Sequence, residues 1–259
     1  MDFLVSAATD AGSWRQVNQD RIFVHRMENS GNPMAFAVVC DGMGGLEKGE
    51  VASSVLTQAF VRWMEDFAAG QKDAAAEDHI IRRQWTAVVE QVNEWILSYS
   101  RGTGCRMGTT VTAMLLTGQR YYLLNIGDTR AYEITSRGIR QLTVDHTVIQ
   151  REVERGNLTK EQAEDAPMKN VLTRCVGMEG SVCPDLFFGD TVAGAVYLLC
   201  SDGFRHRISE TEIAGALGGE EGAADMRERL DNLVALNRQR GEKDNISAVA
   251  IVCRPGAAQ

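Results

Sequence analysis

The chain has 259 residues, 44% apolar and 24% charged, with 25 Gly and only 4 Pro, which excludes disordered, collagen-like and low-complexity sequence and is long enough for a sizeable core. Lys and Arg number 27 against 35 Asp and Glu, a formal charge of −8. No basic cluster offsets that balance, which argues against a nucleic-acid binder. No apolar run approaches the roughly 18 residues of a membrane span, and the opening Met-Asp-Phe-Leu-Val-Ser lacks the basic and long apolar parts of a signal peptide.

Apolar residues come first in short strand-like bursts at 3–8, 22–25 and 34–40. Two amphipathic helices follow. The first carries Val55, Leu56, Phe60, Trp63, Met64 and Phe67 on one stripe. The second carries Ile81, Trp85, Val88, Val89, Val92, Trp95, Ile96 and Tyr99. Trp63, Trp85 and Trp95 are therefore expected in the core. After the glycine-rich stretch 102–108, strands are expected at 109–116, 121–126, 131–134 and 139–143. The turns between them are too short for parallel crossovers, so these strands are antiparallel neighbours. Residues 145–169 are polar and partly helical, and read as a surface flap. A wholly apolar strand at 195–200, a polar helical region at 209–240 and a last strand at 246–253 complete the chain. With no repeat and no linker, one α+β domain over 1–259 is expected.

The six cysteines, at 40, 105, 175, 183, 200 and 253, form no C-x-x-C pair, which disfavours a zinc ribbon or a thioredoxin-type site. Cys40, Cys200 and Cys253 lie in or at the end of apolar runs, the pattern of buried thiols in a reducing, cytoplasmic compartment.

Chemistry concentrates in the aspartates. Asp41, Asp128, Asp202 and Asp244 stand at strand ends beside Gly, Asn or Thr, and Asp20 stands near the start of the 22–25 strand. Each alone is an ordinary turn residue. Strands ending along one rim could bring them together, and carboxylates at close quarters repel unless a hard divalent cation such as Mg²⁺ or Mn²⁺ holds them. Other site types are absent: no H-E-x-x-H, no phosphate-binding P-loop and no G-x-S-x-G elbow. Gly42-Met43-Gly44-Gly45 lacks the third glycine of a dinucleotide fingerprint. The four histidines, His25, His79, His146 and His206, read as surface or structural residues.

Arg15-Gln-Val-Asn18-Gln19-Asp20 and Val38-Val39-Cys40-Asp41-Gly42-Met43-Gly44-Gly45 resemble the opening motifs of the type 2C, metal-dependent protein phosphatases in their bacterial branch. Gly108-Thr109-Thr110, Asn125-Ile126-Gly127-Asp128-Thr129-Arg130, Leu142-Thr143-Val144-Asp145-His146, Val171-Leu172-Thr173-Arg174, Ser201-Asp202-Gly203 and Lys243-Asp244-Asn245-Ile246-Ser247 look like the later motifs, in the family's order. The likeness runs from about residue 6 to 252. It implies a four-layer α/β/β/α sandwich, two central antiparallel sheets flanked by helices, with two Mn²⁺ or Mg²⁺ ions at one end. By that likeness Asp41 bridges both ions, Gly42 lends its carbonyl, Asp202 and Asp244 complete one shell, and Asp20 supports ligands or bound waters. Arg15 holds the substrate phosphate, a task suited to its planar fork of donors. Asp128 with Asp202 matches the place of a weaker third ion.

The implied reaction is hydrolysis of phosphoserine or phosphothreonine in proteins. Hydroxide bridging the two ions attacks phosphorus in line with the departing oxygen, with no phosphoenzyme. The implied partners are phosphorylated proteins and a bacterial-type Ser/Thr kinase whose work is reversed, with no membrane or nucleic acid. A monomeric, stand-alone catalytic domain is expected. Three positions depart from the family: Gln19 where many members have Glu, Met43 where eukaryotic members have a His proposed as general acid, and His206 where an Asp usually helps the third ion. His206 predicts weaker third-ion binding, with service as general acid as an alternative. The rival is a catalytically silent phosphoprotein-binding module of the same fold. The presence of Asp41, Asp202 and Asp244 weighs against it, and a haloacid-dehalogenase reading fails for want of a D-x-D-x-[TV] strand end.

Overall fold

A computed structural model describes residues 1–29, 31–43, 48–70, 77–164, 166, 168, 170–219 and 225–255. Gly44 and Gly45 of the Asp-Gly-Met-Gly-Gly motif, and residues 165, 167 and 169 of the expected flap, lie outside the described residues. In chain order the elements begin β1 (Asp2–Asp10), β2 (Arg21–Asn29), β3 (Asn32–Cys40), α1 (Gly49–Gly70) and α2 (Asp78–Thr103). Next come β4 (Val111–Leu116), β5 (Arg120–Ile126), β6 (Arg130–Thr135), β7 (Gly138–Gln141), α3 (Val148–Glu154) and α4 (Lys160–Glu164). The last are β8 (Asp185–Asp190), β9 (Val196–Cys200), α5 (Asp202–Arg205), α6 (Glu210–Leu217), α7 (Met226–Gln239) and β10 (Ile246–Arg254).

The strands pair into two five-stranded sheets, ordered β1-β10-β9-β6-β7 and β2-β3-β4-β5-β8. Every pairing is antiparallel. Side chains on a strand alternate between faces, and here both faces are covered, so the central strands are apolar throughout. On β3, Phe36, Val38 and Cys40 face α1 and α2, where they meet Leu56, Phe60, Trp63 and Trp85. Ala35, Ala37 and Val39 face the other sheet and pack with Leu123, Tyr197, Leu199 and Ile251. On β9, Leu198 and Cys200 turn outward onto Phe204, Ile213, Leu217 and Leu230 of α5, α6 and α7. Three apolar seams therefore separate four layers, the α/β/β/α sandwich expected.

The helical stripes place α1 and α2 correctly, with Trp85 fully buried and Trp63 nearly so. Trp95 is a correction. It is 43% exposed and stacks on Tyr99 at 5.5 Å, because it sits at the border of the stripe, beside the fully buried Ile96. The strand β8 was not anticipated. It is a half-buried edge strand interrupted by Gly189, and neither face shows a clean alternation. The glycine-rich stretch begins inside α2, which runs through Thr103 and ends on Gly104 with φ 71°. The 145–169 segment starts anchored: His146, Thr147 and Ile149 are buried, and Thr147 caps α3.

Candidate active site

The aspartates sit where strands from both sheets end. Asp41 follows β3 and Asp20 precedes β2, and the pairing of Arg21 with Cys40 sets both at one end of that sheet. Asp128 lies in the turn from β5 to β6, Asp202 opens α5 directly after β9, and Asp244 precedes β10. Thr109 and Thr110 fix Asp41. The Asp41 N–H donates to Thr110 Oγ1 at 3.0 Å, and the Asp41 carbonyl accepts from Thr110 N–H and Thr109 Oγ1, both at 2.9 Å. Across the rim, the β9–α5 turn presses so closely on β10 that a Cβ on Gly203 would run into the Asn245 carbonyl oxygen.

Asp41, Asp128, Asp202, Asp244 and Arg15 line one cleft of about 930 Å³. Asp20 lies beneath it, 3% exposed, with neither carboxylate oxygen hydrogen-bonded. Burial pushes the Asp20 carboxyl up to about 7. The charges of Asp202 and Asp244 add to the rise, and the Ser247 and Ser201 hydroxyls, near but not bonded, oppose it. Asp41 is held well above the ordinary carboxylate range, first by burial and then by the charges of Asp20, Asp202, Asp128 and Asp244. Asp128 rises to about 7 for the same leading reason, with Asp202 adding and Arg205 opposing.

Arg15 reaches over the acidic floor and grips Asp244 with two hydrogen bonds, Nε to Oδ1 at 3.0 Å and Nη2 to Oδ2 at 2.9 Å. Its loop is tied down by Asn245, whose Nδ2 donates to the carbonyls of Ala11 and Val17 while its Oδ1 accepts the Gln19 N–H. Among the described residues no three acidic, His or Cys side chains are drawn into a closed metal cage. The carboxylates stand apart around the cleft, as mutual repulsion requires. Their chemistry nonetheless fits hard cations. The donors are all oxygen, two buried oxygens have no partner, and the central carboxyl resists ionisation until a positive charge joins it.

A family model described as protein phosphatase 2C matches residues 13–248. The chain belongs to the protein phosphatase 2C family. It is 32% identical over 247 residues to the serine/threonine phosphatase Stp of Listeria monocytogenes, covering 94% of this chain and 93% of that one. Serine/threonine phosphatase Stp1 from Staphylococcus aureus superposes with a TM-score of 0.84 at 29% identity, over 97% of this chain and 95% of that one. The catalytic domain of the phosphatase PstP, solved with two manganese ions, superposes with a TM-score of 0.79 at 29% identity, over 98% and 99% of the two chains. This protein phosphatase 2C chain is thus an enzyme of a divalent-metal family.

The three departures from the family pattern have definite places. The Gln19 side chain turns to the start of α1, its Nε2 donating to Glu50 at 3.2 Å. Met43 lines the cleft. His206 stands between two carboxylates, Nε2 3.4 Å from Asp202 and Nδ1 3.5 Å from Glu242. Gly42, next to Asp41, is buried, and its N–H donates to the Gln19 carbonyl at 3.2 Å. Residue patterns missed a basic group beside Asp128. Arg205 Nη2 donates to the Asp128 carbonyl at 3.0 Å and also stands 3.6 Å from Asp145, which is itself clasped by Arg130. Nor did they reveal Glu242, 4% exposed behind His206. Neither residue belongs to a strand-end Asp pair or to the motifs that carry the family likeness, the two signals that singled out the acids.

Proposed function

We infer that this chain is a metal-dependent phosphoserine/phosphothreonine protein phosphatase acting as a single catalytic domain over residues 1–259. The convergence of four aspartates on a cleft capped by an arginine, with Asp20 buried beside them, carries the reading, together with membership in the phosphatase family. Asp41, Asp202 and Asp244, with the Gly42 carbonyl, would hold two divalent ions, Mn²⁺ or Mg²⁺, with Asp20 supporting them from below. Ions so held supply Lewis acidity and make water nucleophilic near neutral pH.

The chain's own residues do the rest. Thr109 and Thr110 lock the Asp41 backbone, so its carboxylate keeps one position through the reaction. Arg15 exchanges Asp244 for two phosphate oxygens, presenting the same fork of donors to an anion of similar bite. The apolar Met43 on the cleft wall offers no proton, so the departing serine or threonine oxygen takes its proton from solvent or from another group. Asp128 with Asp202 would hold a third ion weakly, because Arg205 and His206 already set positive or hydrogen-bonding groups against those two carboxylates.

The substrates are phosphorylated proteins, and the enzyme reverses a Ser/Thr kinase, as a cytoplasmic monomer. Six free thiols, five of them buried, suit a reducing compartment, and among the described residues no helix is long and apolar enough to cross a membrane. The test is phosphate release from a phosphothreonine peptide with Mn²⁺, Mg²⁺ or EDTA, beside Asp202→Asn. Metal-dependent turnover that falls at least about a hundredfold in the variant is expected, since a ligand to the reactive centre is lost. No turnover with either ion in folded protein would shift the reading to a silent phosphoprotein-binding module.

A further inference from the structure

The cleft is larger than a phosphate needs. Its volume of about 930 Å³ lies at the upper end of the range for ligand pockets, room for a stretch of peptide rather than one side chain. Away from the aspartates its wall carries Arg101, in the last turn of α2, and Arg106, in the loop that follows. Both are exposed. Among the described residues neither makes an ion pair or side-chain hydrogen bond, whereas Arg15 in the same cleft is bound to Asp244. Glu179 also lines this cleft but lies beyond ion-pair distance of both arginines. In a chain of net charge −8, two unpaired guanidinium groups facing an open cleft stand out as a local positive site.

We propose that Arg101 and Arg106 bind an anionic side chain flanking the phosphorylated residue, so that the enzyme selects phosphoprotein segments carrying a second acidic or phosphorylated residue beside the target. The inference rests on the phosphatase reading and names the substrate class for it. Position supplies the reach. Arg106 lies four residues before Thr110, the residue that fixes Asp41. Four residues span at most about 14 Å, so the Arg106 backbone lies within reach of a short peptide segment seated on the aspartates. A carboxylate offers one planar bidentate partner to a guanidinium, and a phosphate offers more oxygens and more charge. A plain structural role exists for Arg101, since a cation suits the negative end of a helix dipole. Arg106 lies past the helix end and the cap at Gly104, where that role fails.

The experiment compares kcat/KM for one phosphothreonine peptide in four versions, with Ala, Glu, phosphoserine or Lys at the flanking positions, using the Mn²⁺-loaded protein. In the parent the Glu peptide should exceed the Ala peptide roughly three- to fivefold, the range for exposed ion pairs, with phosphoserine higher and Lys lower. In Arg101→Ala/Arg106→Ala the Glu-to-Ala ratio should fall to about one, and in Arg101→Glu/Arg106→Glu the Lys peptide should lead. Use of a ratio removes any general loss of activity from the comparison. Equal rates for the four peptides in the parent, or a Glu preference that survives both double variants, would overturn the proposal. Phosphate release from a small aryl phosphate, which has no flanking residue, separates the two levels. Metal-dependent release there without peptide preference sinks only the arginine proposal, while no release from it or from any peptide overturns the phosphatase reading and this inference with it.

Discussion

At the scale of one residue, His146 shows how a side chain outside the cleft lining holds the site's frame. Its Nδ1 accepts the Gly127 N–H at 3.1 Å, so the neutral ring carries its hydrogen on Nε2, which faces Asp185 at 3.0 Å. The backbone of the same residue bonds Gly127 on one side and Thr173 on the other, pinning the turn that presents Asp128. Burial holds the imidazole pKa below its ordinary 6.5, Asp185 opposing and Arg174 adding to the effect. The unfolded chain takes up this proton near 6.5, and the folded chain does so only at lower pH. Stability from the neutral ring is therefore complete above 6.5 and is lost as pH falls below it. Urea unfolding at about pH 7.5 and about pH 5.5 should show the parent losing more stability on acidification than His146→Gln, by up to about 1.4 kcal/mol per pH unit. Equal losses would mean the ring is not held neutral.

At the scale of elements, the site depends on how closely strand ends approach one another. Strands β9 and β10 are neighbours, and Gly203 and Asn245 at their ends touch backbone to backbone. The motif Ser201-Asp202-Gly203 thus needs glycine for space, since even a methyl group would force Asp202 away from Asp244. Gly203→Ala is expected to cost about 2 kcal/mol of stability and to weaken Mn²⁺ binding at least about tenfold by calorimetric titration. A variant that loses stability but binds Mn²⁺ like the parent would show that the contact serves packing alone. Elements with a strong local signal were legible from the residues: α1 and α2 from their stripes, β4 to β6 from short apolar runs between tight turns. Strand β8 was not, because an edge strand of six residues with a glycine carries no period that distinguishes it from a loop. Trp95 misled because it lies at the border of the stripe, where the period alone does not separate a core position from an exposed one.

At the scale of the whole molecule, a chain with excess negative charge gathers five carboxylates at one rim of its sandwich. Folding without metal must work against that repulsion, so metal binding and stability are linked. Mn²⁺ at about a hundred times its Kd should stabilise the parent by about 2.7 kcal/mol, a rise in Tm of roughly 5–10 °C for a chain of this size. Asp41→Asn removes the carboxylate that four others surround. Its Tm in EDTA should exceed the parent's, and its rise with Mn²⁺ should vanish. A lower Tm in EDTA would refute the account of like-charge strain.

The sequence by itself determined the α+β class, the candidate acids and, through ordered motifs, the family whose likeness implied the layered sandwich, because apolar runs, helical stripes and short motifs are local patterns that survive without a partner. Asp41, Asp128, Asp202 and Asp244 could be singled out since each adjoins a strand end, and motif order joined them to Arg15 and Asp20. Only the tertiary structure decided what each one faces. Arg15 meets Asp244 across 229 positions of chain, the Asp20 carboxylate is buried without a hydrogen-bond partner, Arg205 comes to lie against Asp128, and His206 lodges between Asp202 and Glu242. Burial and charge act through space, so desolvation of a carboxylate and pairing of an arginine are set by which strand ends the two sheets bring to one rim, and no local pattern records that.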